Sequence, residues 1–218
     1  MNYTALVTAV SDYTENTFPT ADMNTFIEQA EQRIYNSVQF PSIRKNMTGT
    51  ITSGNKYLSA PNDFLAVYSL AVISGGEYEY LLNKDVNFIR QSYPSPTDTA
   101  IPKYYALFGP TVVSSVITNE LSFILGPTPD ATYTVELHYY YYPESIVTAS
   151  TTWLGDNFDS VLLYGTLVEA ITYMKGEADM VALYNQKYME ALGLAKRLGD
   201  GMERQDAYRS GQFRQAVT

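Results

Sequence analysis

The chain has 218 residues and a formal net charge of −9, with 45% hydrophobic and 17% charged residues. This composition excludes a disordered chain, and the length suggests one domain or two small ones. With no cysteine and one histidine, the sequence excludes disulfides, thiolate zinc sites and cysteine nucleophiles. The acidic balance argues against nucleic-acid binding over a broad surface, because phosphates are repelled. The unusual feature is the 20 tyrosines, roughly three times the average content.

Membrane association and export are not indicated by the sequence. The longest apolar run, residues 64–73, is half as long as the ~20 residues that a membrane span requires. The first residues lack the basic and apolar regions of a signal peptide, and Asp12 and Glu15 are unlike a transit peptide. We therefore expect a protein that starts in a cytoplasm and has no membrane partner.

Two amphipathic helices are predicted near the N-terminus. Apolar residues recur at three- and four-residue steps over residues 3–15 and again over residues 23–38. Thr20 is predicted to cap the second helix, which ends before Pro41 because proline cannot continue a helix. The polar residues predicted to face away from the core are Glu28, Glu31, Gln32 and Arg33.

From residue 43 to about residue 145 the apolar period changes from 3.6 to 2, which predicts a β-rich unit. Residues 47–52 and 56–58 are predicted to pair as a hairpin. One short helix, capped by Asn83, interrupts the unit and ends before Pro94. The remaining predicted strands are residues 64–73, 104–108, 111–118, 121–125 and 133–142.

The helical pattern returns near Trp153. Asp156 or Asn157 is predicted to cap a helix that is apolar around most of its circumference and is therefore buried on most sides. Gly176 separates it from an amphipathic helix that is predicted to stop at the glycines of residues 199–201. Two long helices with so short a break form an αα-hairpin or a kinked rod.

This order of elements predicts an α+β fold. We expect a discontinuous antiparallel helical bundle of N- and C-terminal helices, an inserted antiparallel β-rich domain and an extended C-terminal arm. Each pair of helices exposes an apolar stripe, so the two pairs are predicted to pack as a four-helix core. The predicted boundaries are 1–41 and 153–200 for the bundle, 42–152 for the β-rich domain and 201–218 for the arm.

No residue cluster predicts catalysis, and we expect no enzymatic activity, cofactor or metal. Glu136 and His138 share one face of a predicted strand and could act as a general base pair. No nucleophile accompanies them, so a polar pair on a solvated sheet face is the simpler interpretation. The tyrosines of residues 139–142 could stack on bases or sugars, although alternation places only half of them on each face. The C-terminal helices carry several acidic residues, namely Asp156, Asp159, Glu169, Glu177 and Asp179. A di-metal site would also need histidines on these helices, and the sequence has none there, so no metal site is predicted.

Several packing and turn motifs follow one another along nearly the whole chain. They are Ile34-Tyr35, residues 81–84 leading to 88–90, residues 102–106, the turn 125–130, residues 133–137 and 139–143, Trp153-Leu154 and residues 162–165. In this joint order they resemble the head–tail adaptor (connector) proteins of tailed bacteriophages, in the group whose helical bundle carries an inserted β domain. Because these motifs concern packing and turns, the resemblance implies assembly and transfers no catalytic residue.

The resemblance implies a structural virion protein at the head–tail junction, assembled in the host bacterial cytoplasm. The resemblance further implies a homo-oligomeric ring, commonly of twelve copies, that docks beneath the portal protein. Such a ring extends the DNA channel and offers a platform to the downstream tail or nozzle protein. Viral DNA would pass without specific binding, which agrees with the negative charge, and tyrosines suit surfaces that are wet before assembly. The alternative is a carbohydrate-binding module of a tail or surface protein that uses the Tyr-rich β domain.

The resemblance also implies that the C-terminal arm reaches the portal or a neighbouring subunit. Arginine and aromatic residues are enriched at protein interfaces. The candidate contact residues in the arm are Arg204, Tyr208, Arg209, Phe213 and Arg214. A proline-rich loop, residues 92–101, is predicted to face the tail, with Pro94, Pro96 and Pro102 as its candidate residues.

Overall fold

The structure is a computed structural model that describes residues 1–109, 111–113, 116–119 and 121–203, and the side chains outside 110–120 and 200–203. It has an α+β fold and divides into two compact units. The helical unit contains Met1–Ile43 and the chain from Tyr142 onward, and the β-rich unit contains Arg44–Tyr141. No helix within the described ranges is long and apolar enough to cross a membrane.

Seven α-helices and ten strands lie in the described residues. The helices are α1 (Tyr3–Thr14), α2 (Thr20–Ser37), α3 (Val86–Ser92), α4 (Ile146–Ala149), α5 (Trp153–Asn157), α6 (Asp159–Tyr173) and α7 (Ala178–Glu203). The strands are β1 (Arg44–Ile51), β2 (Tyr57–Ser59), β3 (Ala66–Ser74), β4 (Glu77–Tyr80), β5 (Leu82–Asn83), β6 (Tyr104–Phe108), β7 (Thr111–Val113), β8 (Val116–Asn119), β9 (Ser122–Gly126) and β10 (Tyr133–Tyr140).

Helix α6 lies at the centre of the helical unit, where it contacts α1, α2 and α7. It is apolar on most sides, as its sequence predicts, and Leu162 and Leu167 are fully buried. Helices from the N-terminal and C-terminal parts of the chain therefore contact each other in this unit. Phe26 of α2 illustrates this packing, because its ring lies 5.1 Å from the ring of Tyr173 at the end of α6.

The two C-terminal helices form an αα-hairpin. Lys175 adopts a positive φ of 55° after α6, and the N–H of Gly176 donates to the carbonyl of Ile171 at 3.0 Å. Helix α7 then continues through Gly199 to Glu203, so the predicted stop at residues 199–201 is wrong. Gly199 is buried in the helix, and a Cβ there would lie 3.0 Å from a methyl group of Val38, so a larger residue would have to displace that side chain slightly.

Two predicted helix caps in this unit are also wrong. Pro19 occupies the N-cap position of α2, and Thr20 is the first helical residue. Asp156 and Asn157 lie inside α5, and Phe158 precedes α6 without any side-chain cap. A capping residue was predicted directly before the long apolar helix because the short helix α5 was not recognised there.

The β-rich unit contains two four-stranded sheets whose inner faces share one apolar core. The first sheet has the order β1-β10-β3-β4, and the second has the order β2-β9-β6-β5, in which only β5 and β6 run parallel. Strands β1 and β2 therefore do not form the predicted hairpin. They pair with β10 and β9, because the turn after β1 carries the chain from the first sheet to the second.

The hairpin of β3 and β4 turns at Gly75 and Gly76, whose φ values of 60° and 89° favour glycine. Helix α3 covers part of the outer face of the second sheet, where Ile89 packs with Ala106 and Ile124. Its cap is Asp85, which accepts a hydrogen bond from the N–H of Asn87 at 2.7 Å. The predicted cap, Asn83, instead lies in β5.

Candidate functional site

The predicted contact residues fall in two places. Those of the C-terminal arm, Arg204, Tyr208, Arg209, Phe213 and Arg214, lie beyond Glu203 and outside the described residues. In the proline-rich loop, Pro94 and Pro96 are exposed, whereas Pro102 is buried. The base of this loop is anchored, because the N–H of Ala100 donates to the carbonyl of Thr128 at 2.9 Å. The exposed part that a partner can reach is therefore the tip that contains Pro94 and Pro96.

Glu136 and His138 lie on the outer face of the first sheet. Glu136 accepts a hydrogen bond from the hydroxyl of Tyr78 at 3.2 Å. The ring of His138 lies 4.9 Å from the ring of Tyr68, which in turn lies 4.9 Å below the guanidinium of Arg44. Desolvation and the positive charge of Arg44 lower the pKa of His138, so its imidazole is neutral at pH 7. These contacts are those of a polar pair packed on a sheet surface.

The carboxylates of the C-terminal helices serve local contacts. Glu169 forms an ion pair with Arg33, and Asp179 accepts a hydrogen bond from the N–H of Met180 at 2.9 Å. Asp156 lies 3.8 Å from the terminal amino group of Met1. Over the part of the chain that the structure describes, no group of three or more His, Cys, Asp and Glu residues could hold a metal ion.

The tyrosines of residues 139–142 divide between the core and the surface, as alternation predicts. Tyr139 is fully buried and donates a hydrogen bond to Asp63 at 2.8 Å. Tyr142 is exposed and donates to Asn36 at 2.6 Å. These rings are therefore engaged in the fold and do not form a continuous stacking platform.

The outer face of the second sheet carries a surface that alternates cations and aromatic rings. We name it the cation–aromatic surface, and its members are Lys56, Tyr57, Lys84, Phe88, Arg90 and Phe108. Arg90 lies 5.2 Å above the ring of Phe108, and that ring lies 5.7 Å from Tyr57. Lys56 lies 5.7 Å above the ring of Tyr57. The result is an ordered row of cation, ring, ring and cation.

A second row continues on the other side of α3. Lys84 lies 5.4 Å above the ring of Phe88, which meets the ring of Tyr104 edge-on at 5.5 Å. Tyr57 and Phe88 are 42% and 40% exposed, so both rows face solvent. Asp85, the neighbouring acid, already accepts the N–H of Asn87. No sequence pattern predicts this surface, because its residues come from separate elements that only the sheet pairing brings together.

One end of the helical unit has the opposite charge. The ends of α1 and α6 meet there, since the side-chain amide of Asn16 lies 3.2 Å from the sulfur of Met174. The hydroxyl of Tyr173 donates to Asp22 at 3.2 Å. Lys175 is the cation in the α6–α7 turn at this end. We name this region the acidic end, and its carboxylates are Asp12, Glu15, Asp22, Glu177 and Asp179.

Large apolar side chains are also exposed on the helical unit. Leu183, Leu194 and Leu198 are 47%, 66% and 51% exposed on one face of α7. At the acidic end, Tyr13 and Tyr173 are 49% and 56% exposed. Where such side chains form a contiguous patch, the patch marks a region that contacts other proteins.

Comparison with known proteins gives a match over the whole molecule. The sequence model of a family described as SU10 adaptor protein matches residues 1–215, which include both compact units. No curated protein matches the chain.

Proposed function

Because the chain belongs to the SU10 adaptor protein family, a family of phage head–tail adaptors, we propose that it forms a ring beneath the portal protein of the virion. The ring extends the DNA channel and provides the platform to which the tail attaches. Its copy number is about twelve, as the family resemblance implies. Its partners are neighbouring copies, the portal protein and the downstream tail or nozzle protein.

The observation that carries this proposal is the extent of the family match. It covers residues 1–215 and thus both the helical and the β-rich units. A carbohydrate-binding module would need the β-rich unit alone, so this match does not favour the alternative function. An adaptor uses both units, because it must contact two lateral neighbours and two axial partners.

The fold supports an adaptor with a helical bundle and an inserted β domain. In the helical unit α6 contacts α1, α2 and α7, which come from opposite ends of the sequence. We assign residues 1–41 and 153–200 to the bundle, 42–152 to the inserted domain and 201–218 to the arm. The compact units of the structure divide instead at residues 43/44 and 141/142, and α7 extends to Glu203.

The surface chemistry supports assembly without catalysis. The polar groups that the sequence offered as catalytic candidates are engaged in local contacts: Glu136 with Tyr78, and Glu169 with Arg33. Exposed leucines and tyrosines are available to partner proteins. The chain acts without a cofactor, and its net charge of −9 lets DNA pass through the channel without strong attraction.

Two segments are assigned to the axial partners. The C-terminal arm docks on the portal or a neighbouring copy, and the tip with Pro94 and Pro96 faces the tail. Replacing residues 94–97 by glycine and serine keeps the hydrogen bond of Ala100 to Thr128 that anchors the loop. This replacement should leave portal attachment intact and impair tail attachment, and the reverse result contradicts the assignment.

The ring is tested by negative-stain electron microscopy of the purified chain, alone and mixed with its portal protein. The expected result is a ring of adaptor density, with a central opening, on one end of the portal. Portal particles that stay unchanged at a saturating concentration of the chain contradict the proposal.

A further inference from the structure

We propose that the cation–aromatic surface of one copy binds the acidic end of the helical unit of a second copy. This inference rests on the proposed function in one respect, which is that the protein works as a homo-oligomer. It adds the two surfaces that meet and the chemistry that joins them, namely arginine and lysine against aspartate and glutamate, with aromatic rings between.

The cation–aromatic surface is built to receive carboxylates. The ring under Arg90 is that of Phe108, at 5.2 Å, and the ring under Lys84 is that of Phe88, at 5.4 Å. A cation that rests on a ring keeps its other donors free for an acceptor on a partner. Both cations are exposed. The rings add apolar area around them, as interfaces require.

The same chain supplies the complementary surface. At the acidic end Asp12, Glu15, Glu177 and Asp179 are exposed. The exposed rings of Tyr13 and Tyr173 lie among these carboxylates and offer apolar area in turn. A contact between two different patches of the same chain is heterologous, so each copy can contact two others. Repeated head-to-tail contacts of this kind form a closed ring when the rotation between copies closes, and a ring is the form that the proposed function needs.

The geometry favours a protein partner over DNA. The cations at 5.2–5.7 Å lie over one face of Tyr57, Phe88 and Phe108, which closes that face to a stacked base. The cations are also few in a chain of net charge −9, which repels a polyanion at long range. Local pairing with the carboxylates of another copy needs only short-range contact.

The test is charge reversal and rescue in the full chain, followed by sedimentation velocity in low salt. One variant carries Lys84→Glu and Arg90→Glu, and a second carries Asp12→Lys and Glu15→Lys. Lysines at residues 12 and 15 suit the C-terminal end of α1, where the helix dipole favours cations. Each variant should self-associate at least about tenfold more weakly than the natural chain. The chain with all four substitutions should recover self-association.

The matched control carries Lys103→Glu and Lys196→Glu. It changes the net charge as much as the Lys84 and Arg90 variant does, at exposed positions outside both surfaces. This control should associate like the natural chain. Raising the salt from about 50 mM to about 500 mM should weaken the natural contact, because salt screens exposed charges. Circular dichroism confirms that every variant is folded.

Three results would overturn the inference. They are a natural chain that stays monomeric in low salt, reversal variants that associate normally, and a folded four-substitution chain that does not recover. If the Lys84 and Arg90 variant loses binding to a DNA duplex while keeping self-association, the surface serves DNA. Rings seen on portal particles would uphold the proposed function even where this inference fails, so the two failures are distinguishable.

Discussion

The buried carboxylate of Glu31 in α2 accepts a hydrogen bond from the backbone N–H of Ile146 at 3.0 Å, across 115 residues of sequence. Ile146 begins α4, the first helix after β10, so Glu31 satisfies an N–H group at the start of that helix from outside it. Ser145 forms a second hydrogen bond to the same carboxylate. Glu31 is 3% exposed, although the sequence predicted that it would face away from the core.

Replacing Glu31 by alanine is expected to lower the free energy of unfolding by about 1–3 kcal/mol, because it leaves the N–H of Ile146 and the hydroxyl of Ser145 without this acceptor in a buried site. Urea unfolding followed by circular dichroism measures the change. The matched control is Glu28→Ala, which removes an exposed carboxylate from the same helix and should stay within about 0.5 kcal/mol of the natural chain. Equal effects of the two substitutions would contradict the capping role.

The same carboxylate predicts a pH dependence. Burial raises the pKa of Glu31 above its ordinary value of 4.5, and the hydrogen bonds from Ser145 and Ile146 oppose that rise. Since the folded chain holds this proton more tightly, its stabilising contribution is complete below the unfolded pKa and is lost as pH rises through the folded pKa.

Glu31→Gln removes this titration, so the stability of the natural chain relative to Glu31→Gln should fall as the pH rises from 4.5. Urea titrations of both chains at several pH values measure this difference. A difference that grows with pH would show that the hydrogen bonds from Ser145 and Ile146 outweigh desolvation.

Substitutions at two helix glycines are expected to change stability in opposite directions, because one glycine lies in a close helix contact and the other lies in open space. A Cβ on Gly165 would lie 3.3 Å from both the Cβ of Ala30 and the ring of Tyr188. Gly165→Val should therefore lower the free energy of unfolding by about 1–3 kcal/mol through overpacking. Gly193 in α7 has no atom within 4 Å of such a Cβ, so Gly193→Ala should add up to about 1 kcal/mol of helix propensity. Thermal unfolding measures both, and a stabilising Gly165→Val would mean that the helices are farther apart.

The helices were predicted well because an apolar stripe is a local signal. The central helix α6 and its packing on α2 follow from such stripes. An apolar stripe predicts the buried face of a helix. It does not predict which polar residue at the edge of that face is buried by contact with another helix, so the pattern wrongly predicts an exposed Glu31. The predicted helix end at Gly199 is wrong for a similar reason. Glycine often ends a helix, but this glycine lies within α7 and allows close contact with Val38.

Strand partners were harder to predict than strands. The bounds of β6, Tyr104–Phe108, agree with the prediction, and the turn between β1 and β2 contains Gly54 with a φ of 76°. That turn carries the chain between sheets, and the N–H of Gly54 donates to the carbonyl of Pro129. Turn residues signal a change of direction and carry no information on a distant partner strand. The cation–aromatic surface depends on such distant pairing, so no local pattern predicts it.

His138→Ala is expected to leave phage assembly unchanged, because His138 packs against Tyr68 on the sheet surface. Stability should change by no more than about 1 kcal/mol. Complementation of a phage that lacks this protein, scored by the yield of tailed particles, checks the first point, and urea unfolding checks the second. Loss of tailed particles from a normally folded variant would show that His138 has a functional role.

Removal of the C-terminal arm is expected to leave the chain folded and to abolish its docking on the portal. The cut belongs after Glu203, so that all of the described part of α7 is kept. The shortened chain should keep its unfolding midpoint and lose attachment to portal-bearing capsids, because Tyr208 and Phe213 would no longer fill apolar pockets on the partner. The companion variant Arg209→Lys and Arg214→Lys keeps the charge but cannot form bidentate pairs with carboxylates, so it should dock more weakly than the natural chain. Co-sedimentation with capsids measures both, and unchanged affinity of the shortened chain would exclude the arm as the docking element.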